Sequence, residues 1–326
     1  MKKLSSMLLA VVAAAIGWFL LQELQKSGWK GISLPGVTIG NPTSTAPPPP
    51  RGNDTIRVAT WNIRVFGEAK LSDPGAMQSI VAVLRNFDVV AIQEVRAVSQ
   101  DVVPQLVAML NADGRFQYDY ALGPRLGRTN SKEQYAFVFD LATIELDRYQ
   151  LYTIDDRDDQ LHREPLVGWF RARGPPPEQA FTFSLVNIHT DPDEVDLELD
   201  VLDDVFFAVQ GDGRREDDVV LLGDFNVKES HMRELGKVAG LVKVVTGETP
   251  TNVRQNAQYD NIVFHESATT EFTGRGGVYD FLRDFNLTQD EAERVSDHLP
   301  VWAEFSTFEG GRPGPLAAAP NTSKAQ

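Results

Sequence analysis

Short apolar runs rich in β-branched residues recur from residue 55 to residue 305, and their internal spacing separates two kinds of element. Runs over 55–62, 89–94, 136–140, 180–189, 219–224, 261–264 and 299–305 are too short and too continuous for surface helices and read as buried strands. Apolar residues three or four apart over 77–86, 102–111, 194–209 and 232–239 read as helices with one buried face. Several strands follow one another with no helix between them. That order predicts two sheets covered by helices rather than one doubly wound parallel sheet.

Polar residues gather where the apolar runs stop: Asn62 after IRVATW, Glu94 after VVAIQ, His189 after SLVNI, and Asp224 and Asn226 around VVLLG. Strand ends on a rigid core are where a site assembled from distant segments is expected.

Outside 54–308 the pattern changes. Lys2 and Lys3 precede an uncharged stretch over 4–21, broken only by Ser5, Ser6 and Gly17, of about the length that crosses a bilayer. A cleaved signal peptide, the alternative, would have a shorter core and a small-residue cleavage site, and none follows Trp18, Phe19 and Leu20. Residues 1–24 are therefore expected to be an uncleaved membrane anchor. The lysines before the span place the domain on the extracytoplasmic side. Residues 25–53, ending in Pro47 to Pro50, read as a semi-rigid linker, and 309–326 as a disordered tail.

The formal net charge of −15 argues against a protein that holds a polyanion by bulk attraction. A nucleic-acid substrate then needs local help from a divalent cation and a few arginines. Zero cysteines exclude disulfides, thiolate zinc sites and cysteine nucleophiles.

Glu94 ends DVVAIQEVR, where a carboxylate is a poor core residue unless something neutralises it. A divalent metal would do so, and so would an ion pair with Arg96. Asp224 and Asn226, two apart after a buried strand, can point at one ligand. SDHLPV sets Asp297 beside His298, and histidine is the usual general acid or base near neutral pH. His189 in LVNIHTDPD is ambiguous alone. Asp260, leading into the strand of YDNIVF, could orient an imidazole as carboxylates do in hydrolytic triads. His162, His231 and His265 lie in polar or irregular surroundings and are not expected in a site.

Taken in order, TWNIRVFG, IQEVR, LGRTNSKEQYAFVF, NIHTDPDE, LLGDFNV, YDNIVF and SDHLPVW resemble the endonuclease/exonuclease/phosphatase superfamily, and within it the deoxyribonuclease I type. The resemblance implies an α/β (α+β) four-layer sandwich, two central mixed sheets flanked by helices, with the site at one edge. It implies a metal-dependent phosphodiesterase that hydrolyses DNA, or RNA, with Mg²⁺ or Mn²⁺. Carried over, Glu94 is the main metal ligand, with Asp297, Asn62 and Asp224 about the ion. Asn226 joins Asp224 in the phosphate pocket. His298 with Asp260, and His189 with Glu133, are the two imidazole–carboxylate couples that activate water and protonate the leaving oxygen. Asn62, Arg64, Arg96 and Arg128 match positions that face the nucleic acid.

Two departures stand out. Ser131 replaces a tyrosine that packs on the substrate sugar, and the segment TPTNVRQNAQ before Asp260 lacks the acidic, threonine-rich pattern of a structural calcium site. No dependence of folding on calcium is expected. Two other functions share the fold: cleavage of a phospholipid or inositol phosphate, which a membrane tether would suit, and a non-catalytic binding module. The complete set of polar residues disfavours the second.

Overall fold

The computed structural model describes Gly52 and residues 54–128 and 132–310. The expected anchor, nearly all of the linker, Ser131 and the tail beyond Gly310 lie outside the described residues. Among the described residues no helix is long and apolar enough to cross a membrane.

Twelve strands form two six-stranded sheets. The first has the order β11 (Phe272–Val278), β12 (Val301–Ser306), β1 (Thr55–Phe66), β2 (Val89–Val95), β4 (Gln134–Asp140), β3 (Tyr118–Leu122). The second has the order β5 (Ile144–Thr153), β6 (Leu166–Ala172), β7 (Thr182–His189), β8 (Val219–Asp224), β10 (Asp260–His265), β9 (Leu241–Lys243). Each sheet has one parallel pair at its centre, β1 with β2 and β7 with β8; the other neighbours are antiparallel. Inner strands covered on both faces need no polar alternation, so β2, β4 and β8 are buried at every position.

Aromatic rings join the sheets. Phe181 of the second sheet's margin stacks on Phe183 at 4.7 Å and on Phe305 of β12 at 5.8 Å, while Phe137 of β4 meets Phe170 of β6 at 5.2 Å. Complete burial of each ring stabilises the sandwich by about 1.5–3 kcal/mol. Helices Pro74–Leu84 and Val102–Asn111 cover the first sheet with Met77, Ile80, Val83, Val103 and Leu106. Helix Leu202–Gln210 covers the second with Leu202, Val205, Phe206 and Val209. These are the four expected layers. Near the ends of β2 and β7 a polar bridge crosses the core: Gln93 Nε2 donates to Thr60 Oγ1 at 2.9 Å and to Asn187 Oδ1 at 2.7 Å.

All seven expected strands are present, and helix Val102–Asn111 has the expected bounds. Two helices need correction. The expected helix over 194–209 is broken into Val195–Leu199 and Leu202–Gln210, because the Glu198 side chain turns inward to accept from the backbone N–H groups of His162 and Asp191. The expected helix over 232–239 is a single 3₁₀ turn, Leu235–Lys237, preceded by another at Glu229–His231. Burying Met232 and Leu235, three apart, satisfies a 3₁₀ turn as well as a helix. Strands β3, β5, β6, β9 and β11 and helices Glu68–Leu71, Phe281–Asp284 and Gln289–Val295 were not expected.

Candidate active site

Asp224, the last residue of β8, is the hub. In the second sheet it lies beside His189 at the end of β7 and opposite Asp260 at the start of β10, so one row of the sheet presents all three. Gly223 makes that row possible. At φ 155° its missing Cβ would stand 1.9 Å from the carbonyl oxygen of Ile188, so no other residue lets β8 run this close to β7.

From the first sheet, Asn62 reaches across to donate from Nδ2 to Asp224 Oδ2 at 3.0 Å and to Glu94 Oε1 at 3.1 Å. Glu94 sits at φ 60°, and the facing part of β1 bulges with Val65 at φ 51°. A β-branched residue rarely adopts that backbone, and strained positions of this kind cluster at functional sites. Here the bulge brings the Val65 N–H to Glu94 Oε2 at 2.8 Å. Arg96 also reaches Glu94 Oε2, at 3.0 Å, so the simple ion pair considered for Glu94 exists, within a larger network.

The two couples are formed. His189 Nδ1 lies 2.6 Å from Glu133 Oε1, and His298 Nδ1 lies 2.9 Å from Asp260 Oδ2, which also accepts from Thr251 Oγ1 at 2.7 Å. Both Nε2 atoms turn to Asp224 Oδ2, each at 3.6 Å. Burial by itself lowers an imidazole's pKa, but the Asp260 and Asp224 carboxylates outweigh it and lift that of His298 to about 10. Against the same burial, Glu133 and Asp224 raise that of His189. In return, burial pushes the Asp224 and Glu133 carboxyls up, yet the neighbouring histidines hold both below the usual range.

Asp297 pairs through Oδ2 with Arg64 at 3.1 Å, while its buried Oδ1 has no hydrogen-bond partner. Asn226, at φ 54°, folds back so that its N–H meets Asp224 Oδ1 at 2.9 Å and its Nδ2 meets the Thr190 carbonyl at 2.7 Å. Asn62, Glu94, Arg96, His189, Asp224, Asn226 and His298 line one cavity; Arg64, Asp297 and His298 line its neighbour. Arg128 does not join them. Its guanidinium is tied to Asp159, Glu194 and the Leu161 carbonyl.

Sequence reasoning missed Arg163, which is buried against Glu133 Oε1 at 3.1 Å and the His189 carbonyl at 3.0 Å, and it set aside His162, which lines the same cavity. Nothing in REPLV marks the arginine. Its burial becomes visible only once β4 and β7 face each other across the two sheets, with the loop before β6 beside them.

For a hard divalent cation the donors are of the right chemistry: Glu94, Asp224 and Asp297 offer carboxylate oxygens, and Asp297 Oδ1 is an orphaned one. The tightest group of the rim is a different one, Asp224, Asp260 and His298, with one ligand atom of each within 4.8 Å of the others. Glu94 and Asp297 do not converge so closely.

Residues 59–298 match the model of the Endonuclease/Exonuclease/phosphatase family, and the chain belongs to that family. It is a hydrolase acting on phosphate ester bonds, of the deoxyribonuclease I-like kind. Human Deoxyribonuclease gamma is 31% identical over 76% of this chain and 84% of its own length. Pig Deoxyribonuclease-1-like 1 is 33% identical over 78% and 82%. Among solved structures, the human Nocturnin catalytic domain with bound sulfate anion superposes with a TM-score of 0.52 at 16% identity, covering 78% of this chain and 95% of that one. An endonuclease/exonuclease/phosphatase family protein from Bacteroides thetaiotaomicron gives 0.51 at 16%, covering 77% and 94%. At such identities these two speak for the fold.

Proposed function

We propose that this protein is a metal-dependent endonuclease that hydrolyses the phosphodiester bonds of DNA, anchored by residues 1–24 with its catalytic domain on the extracytoplasmic side. The observation that carries the chemistry is the convergence of two histidine–carboxylate couples on Asp224 Oδ2. The DNA substrate is supported by the relatives named deoxyribonuclease, and the anchor by the uncharged stretch behind Lys2 and Lys3.

A Mg²⁺ or Mn²⁺ ion held by Glu94, with Asn62, Asp224 and Asp297, would supply positive charge for the phosphoryl oxygens in a pocket otherwise dominated by carboxylates. Asn62 and Asn226 hold the Asp224 carboxylate in place through their hydrogen bonds. With a cation offsetting the Asp224 charge that helps keep both rings protonated, one imidazole would take the proton of the attacking water and the other would give a proton to the leaving oxygen. Asp260 and Glu133 fix the ring orientations and stabilise the imidazolium forms. Arg64 and Arg96 lie at the pocket mouth, where they can meet phosphates flanking the cut. Arg128 can do so only by leaving its acidic partners.

The test is cleavage by the purified full-length protein in detergent, with Mg²⁺ or Mn²⁺, of plasmid DNA, RNA, sphingomyelin and a soluble inositol phosphate. Plasmid nicking that a chelator abolishes is expected. Hydrolysis of a lipid or inositol phosphate with DNA left intact would transfer the function to that branch of the family. A C-terminal reporter found in the cytoplasm would overturn the orientation.

A further inference from the structure

Beyond the catalytic rim, the opposite end of the sandwich holds a second group of acids. Asp218 stands immediately before β8, Glu271 immediately before β11, and Glu309 shortly after β12. Six residues of extended chain separate Asp218 from Asp224, so the two rims lie about 20 Å apart. One carboxylate oxygen from each of Asp218, Glu271 and Glu309 lies within 4.8 Å of the others.

Carboxylates this close repel one another, and the described residues do little to relieve it. Asp218 and Glu271 are 1% and 2% exposed. Asp218 Oδ1 and Glu271 Oε2 are buried with no hydrogen-bond partner, and the hydroxyl of Thr269 lies beside them. The donors that do arrive are few and neutral: the Gly310 N–H at 2.6 Å and, more distantly, Thr270 Oγ1 at 3.4 Å to Glu271 Oε1, the Thr182 N–H to Glu309 Oε2 at 3.2 Å, and the Thr269 hydroxyl to Asp218. Among the described residues no lysine, arginine or histidine forms an ion pair with any of the three. Nearby Glu216 is already satisfied, by Trp169 Nε1 at 2.8 Å and the Asp218 N–H at 3.0 Å.

We infer that Asp218, Glu271 and Glu309 form a binding site for a hard divalent cation of the calcium class, which ties the chain end after β12 to both sheets. Orphaned buried oxygens from two segments and an exposed carboxylate from a third are what such an ion requires, and separations up to 4.8 Å suit ligands at about 2.4 Å on opposite sides of a Ca²⁺. Calcium fits better than Mg²⁺ because it accepts irregular all-oxygen cages, whereas Mg²⁺ keeps much of its water. Without a cation, burial and then Glu271 push the Asp218 carboxyl up to about 9, and burial lifts Glu309 to about 7. This site is distinct from the calcium loop that the sequence lacks, and it would give folding the cation dependence that the sequence led us not to expect.

The measurement is thermal unfolding of the full-length protein at pH 7.5 with CaCl₂ or MgCl₂ from zero to 10 mM, alongside Glu309→Gln, Glu271→Gln and Glu94→Gln. Calcium at a hundred times its Kd should stabilise by about 2.7 kcal/mol, a rise of about 5–10 °C in Tm. That rise should persist in Glu94→Gln, which alters only the catalytic rim, and vanish in Glu309→Gln, a partly exposed position whose variant should still fold and cleave substrate even if Glu271→Gln does not. An equal calcium response in Glu309→Gln overturns the inference. So does no response in the wild type.

Discussion

His189 and His298 stand 3.6 Å, through their Nε2 atoms, from the same oxygen of Asp224, although one ends β7 and the other precedes β12, and their backing carboxylates, Glu133 and Asp260, stand just before β4 and at the start of β10. The two rings are therefore arranged as one unit around a shared charge. His189→Ala and His298→Ala should each lower kcat by about a hundred- to ten-thousand-fold. The double variant should be little worse than either single one, because groups that act together are not additive. Initial rates of plasmid nicking, with circular dichroism melts to confirm folding, check this. Full activity in either single variant removes that histidine from the chemistry.

Glu94 holds the bulge between β1 and β2 by accepting from Val65 and Asn62, and it carries the main metal role proposed above. Glu94→Gln keeps the size and part of the hydrogen bonding but loses the charge. It should need at least about tenfold more Mg²⁺ or Mn²⁺ for half-maximal rate. A metal titration of activity reads this directly, and an unchanged midpoint would sink the assignment.

Gly223→Ala should be destabilising by roughly 1–3 kcal/mol or more, since the new methyl meets the backbone oxygen of Ile188 rather than a side chain that could swing away. Activity should fall further than stability alone explains, because parting β7 from β8 separates His189 from Asp224. Urea denaturation and single-turnover rates separate the two effects.

Glu198 is buried where helix 194–209 was expected to run unbroken, and burial raises its pKa to about 7. Between pH 4.5 and 7 the folded chain keeps a proton that the unfolded chain has released, so this group's contribution to stability falls as pH rises through that window. Each pH unit crossed there costs on the order of 1.4 kcal/mol. Glu198→Gln should flatten that part of the stability profile in urea melts across the same range. An unaltered slope would mean that the side chain is not buried in the ionised form.

The strand ends proved more legible than the sheets. Apolar runs such as VVLLGD and VVAIQEV declare themselves because both faces are covered, and each delivers its carboxylate to the rim without further information. Strand β5, an edge strand with only Ile144 buried, and β11, with three glycines in seven residues, lack both the apolar pattern and the propensity that would mark them. Within the site, Glu133 and Asp260 could be paired with their histidines only through the family pattern, since 56 and 38 residues separate each couple. Arg163 and the acids at the far rim carry no motif at all. Their meaning depends on which segments lie beside them, and that is a property of the folded chain.

His298 stands just before β12, and β12 is not an edge strand: it is inserted between β11 and β1. A chain still being made, or cut short of that strand, thus has an open seam in the first sheet and lacks half of its proton-transfer machinery. The proposed site is therefore the last part of the fold that this polypeptide can complete.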